Sequence, residues 1–182
     1  MAELKSRSLV LLLGGARSGK SRRAMDLARR ADEVYYLATA RVSSDDAEWR
    51  ARIARHRRER PPHWHTIEEP LRLDRAIARV PAGSVAIVDC MTLWLSNVLL
   101  AGLDPERECA RCLDALADFA GTAILVSNET GMGVVPDSPL GRRFRDAQGF
   151  LNQQLAARAD RVELIVAGLP MVLKGGDGDS SD

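Results

Sequence analysis

Short apolar runs alternate with longer amphipathic stretches along this chain. The runs, rich in Val, Ile and Leu, fall at 8–13, 33–38, 84–89, 123–128 and 161–167, and they have the length and composition of strands buried on both faces. Between them, apolar positions recur at helical spacing and predict helices over 20–30, 45–58, 71–79, 92–100, 105–120 and 140–158. Strands that alternate with helices predict an α/β fold, a mostly parallel sheet with helices on both faces. In such sheets ligands sit outside the carboxyl ends of the strands. The polar residues that follow each predicted strand therefore nominate the site.

The first strand runs directly into Gly14, Gly15, Ala16, Arg17, Ser18, Gly19, Lys20 and Ser21, a complete G-x-x-x-x-G-K-[S/T] phosphate loop. The motif works only at a strand-to-helix turn, where backbone N–H groups and the positive end of a helix dipole converge on phosphate oxygens. Here that context is met, and it predicts a P-loop nucleotide-binding fold. Lys20 is placed to reach the β and γ phosphates and Ser21 to ligate Mg²⁺. After the second strand come the small residues Ala38, Thr39 and Ala40. The third strand ends in Asp89 behind Val85, Ala86, Ile87 and Val88, the pattern of an acid that holds Mg²⁺ or orients a nucleophile. The competing reading makes Asp89 a cap for the next helix, with Thr92 as a rival cap. The fourth strand opens into Asn128 to Pro136, whose Gly131, Gly133 and Pro136 mark either a binding loop or an irregular connection.

All three histidines, His56, His63 and His65, fall within ten positions. Trp49, Ile53 and His56 share one face of the predicted helix, which turns the imidazole inward. A histidine packed against the core and a three-histidine zinc site are the alternatives, and the second lacks recognisable ligand spacing. Arg55, Arg57, Arg58 and Arg60 surround His56, with Glu59, Glu68 and Glu69 close behind. Such a cluster is commonly a solvated face. Beside a nucleotide site, however, neutral imidazole is a competent nucleophile toward phosphorus, and guanidinium groups stabilise phosphoryl charge.

Composition narrows the reading. The chain has 182 residues, 46% of them hydrophobic, enough for the core of one domain over 1–174. The tail, 175–182, is Gly, Ser and Asp, which predicts disorder. Net charge is only +1, with 26 basic and 25 acidic residues, which argues against a generic nucleic-acid or membrane-surface binder. No run approaches the length of a membrane span, and the apolar run after Lys5 and Arg7 is too short for a signal peptide, so a cytoplasmic protein is expected. Three cysteines form no even disulfide framework. Cys109 and Cys112 make a C-x-x-C, read as two positions on one helix face, with redox or metal use as the alternative.

Five blocks in order carry a resemblance: G-G-A-R-S-G-K-S from Gly14, A-R-I-A-R-H-R-R-E-R-P around His56, V-D-C-M-T-L-W-L-S-N around Asp89, N-E-T-G-M-G-V-V-P from Asn128 and F-R-D-A-Q-G-F-L-N-Q-Q-L-A from Phe144. Together they resemble the bifunctional adenosylcobinamide kinase / adenosylcobinamide-phosphate guanylyltransferase family of cobalamin biosynthesis, from about Leu9 to Leu173. The resemblance implies two reactions. ATP or GTP phosphorylates the aminopropanol hydroxyl of adenosylcobinamide; GTP then donates GMP to that phosphate through a histidine phosphoramidate, which falls on His56. It further implies nucleotide contacts at Gly14 to Ser21, Ala38 to Ala40, Arg57, Arg58, Glu59, Arg60, Glu68 and Asp89, Mg²⁺ on Ser21 and Asp89, a corrinoid partner and a homotrimer. Some members carry two adjacent histidines; here Arg55 precedes His56, so only His56 can serve. A plain P-loop kinase and a nucleotide-dependent switch are the other classes the phosphate loop allows.

Overall fold

The computed structural model describes residues 7–41 and 46–175. Seven strands form one sheet in the order β3-β2-β4-β5-β1-β6-β7. They are β1 (Ser8–Leu13), β2 (Val34–Ala38), β3 (His65–Glu68), β4 (Val85–Asp89), β5 (Thr122–Val126), β6 (Arg161–Val166) and β7 (Leu169–Lys174). All pairings are parallel except β6 with β7. The helices are α1 (Lys20–Ala28), α2 (Ala47–Arg58), α3 (Leu73–Ile77), α4 (Met91–Leu100), α5 (Pro105–Asp118) and α6 (Pro139–Arg158). The fold is the expected α/β architecture, with β5 inserted between the phosphate-loop strand and the strand that ends in Asp89.

The central strands are apolar throughout because both of their faces are covered. On one face Leu11, Ala86, Val88, Ala123 and Leu125 pack with residues of α3, α4, α5 and α6. On the other, Val10, Leu12, Ile87, Ile124 and Val126 pack with Ala24 and Ala28 of α1. Period-two alternation thus survives as a division between two cores rather than between core and water. Helix starts follow their caps: the Asp104 side chain accepts from the Glu106 N–H at 3.0 Å, and the Ser138 hydroxyl from the Gly141 N–H at 3.1 Å. Helix α3 is shorter than the expected 71–79. Its first turn is prefigured by Glu69, whose carboxylate accepts from the Leu71 and Arg72 N–H groups.

Two strands were not expected as such. Strand β3 (His65–Glu68) is a four-residue strand without a continuous apolar run, since three of its residues are exposed and only Ile67 is half-buried. Strand β7 gives no alternating signal because every residue in it is exposed. Cys109 and Cys112 lie on the buried side of α5. Burial pushes the Cys109 thiol up to about 11 and raises that of Cys112 further. Both are therefore inert thiols of the core. The C-terminal segment 176–182 lies outside the described residues, as does the first residue of the expected helix 45–58. Among the described residues no helix is long and apolar enough to cross a membrane.

Glu163, fully buried in β6, ties α1 to the sheet. It accepts from Arg23 Nε and Nη2 at 2.7 and 2.8 Å and from Arg161 Nε at 2.8 Å. Burial alone would raise its pKa; the hydrogen bonds from Arg23 and Arg161 outweigh burial and hold it below the ordinary 4.5. A lowered folded-state pKa contributes stability that is complete above the unfolded value and is lost as pH falls through the folded one. Glu163→Gln should therefore destabilise the protein at pH 7 by on the order of 3 kcal/mol, since it leaves two arginines without their carboxylate. Urea unfolding of both proteins from pH 7 to pH 3 checks this: the gap should close below about pH 4.5. A gap independent of pH would refute the assignment.

Candidate nucleotide site

The phosphate loop is shaped by what surrounds it. Gly14 has φ 149°, and a Cβ there would be driven into the carbonyl oxygen of Ile165. Gly19 has φ 103°, and its Cβ would meet Gly168 Cα at 3.2 Å. Both positions are closed to side chains by the β6–β7 hairpin, whose Gly168 N–H also donates to the Ser18 carbonyl at 2.8 Å. The opposite flank is held by the Glu129 N–H, which donates to the Gly14 carbonyl at 3.1 Å. Gly15, Ala16 and Arg17 face solvent, and Ser18, Gly19 and Ser21 are half-buried.

Lys20 is buried at the base of the loop. Its ammonium donates to the carbonyls of Gly14 and Gly15 at 2.9 and 2.6 Å and to the Ser18 hydroxyl at 3.4 Å. Burial lowers its pKa, with the Asp89 charge acting in the opposite sense. Asp89 itself is half-buried at the end of β4 and accepts a hydrogen bond from the Tyr36 hydroxyl. Burial, more than the nearby Asp89, raises the Tyr36 pKa well above its ordinary value, so the phenol keeps its proton and acts as the donor. Asp89 does not cap α4. The cap is Cys90, whose sulfur accepts from the Leu93 N–H at 3.4 Å, while Thr92 Oγ1 accepts from the Asn128 N–H at 2.7 Å. Burial pushes the Cys90 thiol up to about 12.

Of the small residues after β2, Thr39 is fully buried. Its hydroxyl donates to the Cys90 carbonyl and accepts from the Cys90 N–H, both at 2.8 Å. Asn97 Nδ2 donates to the Thr39 carbonyl at 2.8 Å, which fastens this bend to α4. Ala38 ends β2 in register with Asp89, and Ala40 is half-buried.

The histidine segment meets the sheet through its arginines. Arg57 pairs with Glu68 at the end of β3. The Arg60 guanidinium lies over the Tyr36 ring, 3.8 Å from its centroid, and donates from Nη1 to Thr66 Oγ1 at 3.3 Å. Arg58 is exposed and donates to the Ala54 carbonyl of its own helix. His56 lies with Ile53 on the less exposed side of α2 but is not packed in the core: its side chain is 38% exposed, with Nδ1 3.5 Å from the carboxylate of Glu59. The side chain of Trp49, which was to share its face, lies outside the described residues. His56 makes no hydrogen bond or ion pair with the phosphate loop among the described residues; the link runs from Arg60 through Tyr36 to Asp89. The three histidines are not gathered, since His65 is stacked on Tyr35 at 4.6 Å and paired with Glu33 at 3.2 Å.

A phosphate loop at the first strand-to-helix turn of a parallel sheet, with a strand-end acid across one intervening strand, defines a P-loop nucleotide-binding protein. Solved structures agree on the fold: an ATPase of the type III secretion system of pathogenic bacteria matches with a TM-score of 0.55 at 12% identity, covering 91% of this chain and 56% of that one. A Pyrococcus horikoshii protein matches with a TM-score of 0.53 at 8% identity, covering 94% and 88%. The chain belongs to the cobinamide kinase / cobinamide phosphate guanyltransferase family, whose model matches residues 10–173. It is 52% identical over 171 residues to the bifunctional adenosylcobalamin biosynthesis protein CobP of Pseudomonas aeruginosa, covering 91% of this chain and 96% of that protein. It is 38% identical over 182 residues to the Escherichia coli protein CobU of the same description, covering 91% and 99%. The chain is thus a transferase of cobalamin biosynthesis, with the kinase and guanylyltransferase activities of its family.

Tyr36 is the site residue that the sequence did not single out. Its signal was the aromatic pair Tyr35-Tyr36 inside a strand otherwise made of aliphatic residues.

Proposed function

We propose that residues 1–174 act as one unit in which a single nucleotide site serves both transfers. The observation that carries this is the continuity of Asp89, Tyr36 and Arg60, which joins the strand-end acid to the histidine-bearing segment. In the first transfer the γ-phosphoryl group of ATP or GTP passes to the aminopropanol hydroxyl of adenosylcobinamide. Loop amides from Gly14 to Ser21 cradle the phosphates, and Lys20 exchanges its carbonyl partners for the transferring group. In the second, a nitrogen of His56 attacks the α phosphorus of GTP, the bond to the β-phosphate oxygen breaks and pyrophosphate leaves. Glu59 faces Nδ1 and so favours the Nδ1–H tautomer, which leaves the Nε2 lone pair for attack. A phosphate oxygen of adenosylcobinamide phosphate then displaces the imidazole, giving adenosylcobinamide-GDP. Arg57, Arg58 and Arg60 offset phosphate charge, and Glu68 orients Arg57.

Ser21 and Asp89 fit Mg²⁺ because they offer a hydroxyl and a carboxylate oxygen beside the loop. Among the described residues no three His, Cys, Asp or Glu are gathered for a metal, and an ion ligated mainly by substrate phosphates needs few protein donors. When bound, Mg²⁺ would neutralise charge that develops on the phosphate oxygens. A homotrimer is supported by the apolar side chains of Leu169, Met171 and Leu173 on the open edge strand β7, exposed by 72%, 57% and 55%. The cytoplasm is the compartment proposed.

Incubation with GTP labelled at the α phosphate tests the reading. The protein should acquire a covalent label that is lost in acid and kept in alkali, as a phosphoramidate is. Asp89→Asn should depress both phosphorylation and GMP transfer on the order of a hundredfold. Phosphorylation without any covalent label would leave a plain kinase, and an Asp89 variant impaired in one reaction only would separate the two sites.

A further inference from the structure

Tyr36 is 2% exposed, and a phenylalanine would fill the same apolar space. What the hydroxyl adds is a hydrogen bond to one oxygen of Asp89, Oδ2. A carboxylate at the end of a strand rotates freely about its last bond, and a donor fixed on one oxygen aims the other. Register places Tyr36 between Ile87 of β4 and Thr66 of β3, so the same side chain also lies beneath the Arg60 guanidinium, whose Nη1 reaches Thr66. Arg60 Nε is buried without a hydrogen-bond partner. The guanidinium is therefore held chiefly by the ring, 3.8 Å below it.

We propose that Tyr36 is a positioning residue spanning the two halves of the site, its hydroxyl aiming Asp89 at the divalent cation and its ring seating Arg60 for GMP transfer. The assignment rests on the shared-site reading above. One side chain then governs two properties that substitution separates. Tyr36→Phe keeps the ring and removes the hydroxyl. It should raise the Mg²⁺ concentration needed for half-maximal rate in both reactions roughly tenfold, the usual cost of losing a residue that orients a metal ligand. The same tenfold should appear without turnover, as a loss of the Mg²⁺-dependent part of the affinity for a fluorescent GTP analogue, whereas affinity in EDTA stays at the wild-type value. Tyr36→Leu should show that shift and, in addition, label His56 from α-labelled GTP more slowly than Tyr36→Phe by a factor of roughly five.

Arg60→Leu supplies the complementary variant: slower labelling with an unchanged Mg²⁺ requirement. It carries the ring half of the argument even where Tyr36→Leu fails to fold, as its melting transition would reveal. A Tyr36→Phe protein with wild-type Mg²⁺ dependence overturns the first half. An Arg60→Leu protein that labels at the wild-type rate, or that shifts the Mg²⁺ requirement as far as Tyr36→Phe does, overturns the second. Wild-type protein that never labels defeats the histidine mechanism instead, and the Mg²⁺ titration of phosphorylation still decides the role of the hydroxyl.

Discussion

His56→Asn should abolish covalent loading with GMP and lower guanylyl transfer by about four orders of magnitude or more, because the amide of Asn is no nucleophile toward phosphorus. Phosphorylation of adenosylcobinamide with ATP should persist. The asymmetry follows from the structure: among the described residues the imidazole makes no hydrogen bond or ion pair with the phosphate loop, and its ionic partner is Glu59. The side chain is also substantially exposed, so its replacement opens no cavity and the melting transition should not move. Mass spectrometry of GTP-treated protein reads the loading, and an ATP-dependent phosphorylation assay reads the rest. Normal loading of the variant would transfer the role to His63, since His65 is occupied by Tyr35 and Glu33.

Lys20→Ala should slow the kinase reaction by roughly a hundredfold, equivalent to about 3 kcal/mol of lost transition-state stabilisation. Nucleotide affinity should fall with it. The fold should survive, because what the ammonium leaves behind is mostly hydratable or otherwise bonded. The Gly15 residue faces solvent, and the Gly14 carbonyl keeps the Glu129 N–H. Losing these neutral partners costs about 1 kcal/mol in stability. Steady-state kinetics beside a thermal melt separate the two effects. Turnover near that of the unaltered protein would remove the phosphate loop from the mechanism.

The parts of this molecule legible in its sequence are those that local chemistry dictates. Glycine spacing marks the loop because Gly14 and Gly19 have no room for a Cβ, and a strand buried on both faces, such as Val85–Asp89, announces itself by an unbroken apolar run. Strand β7 was illegible because its side chains are all exposed and it is held by backbone pairing with β6. The inward direction assigned to His56 held only in part, since Ile53 and His56 are the less exposed described residues of α2 yet His56 stops short of the core. A shared helical face says which residues are neighbours, but whether that face meets the core depends on where the helix sits, and here Arg57 and Arg60 make the contacts with the sheet. Tyr36 stayed hidden because strand register, not sequence distance, brings it beside Asp89, 53 positions away.

The turn at Ala167 and Gly168 extends the last two strands past the carboxyl end of β1 and against the phosphate loop. It closes over Gly19 and gives an N–H to Ser18, so the curvature of the phosphate cradle depends on a segment about 150 residues downstream. A ribosome releases the glycine-rich loop early, yet the brace that shapes it emerges only when synthesis is nearly complete. The nascent chain therefore cannot hold a nucleotide in its mature grip until the hairpin has folded back, and a message cut short before residue 168 would yield a protein with an intact motif and an unbraced loop.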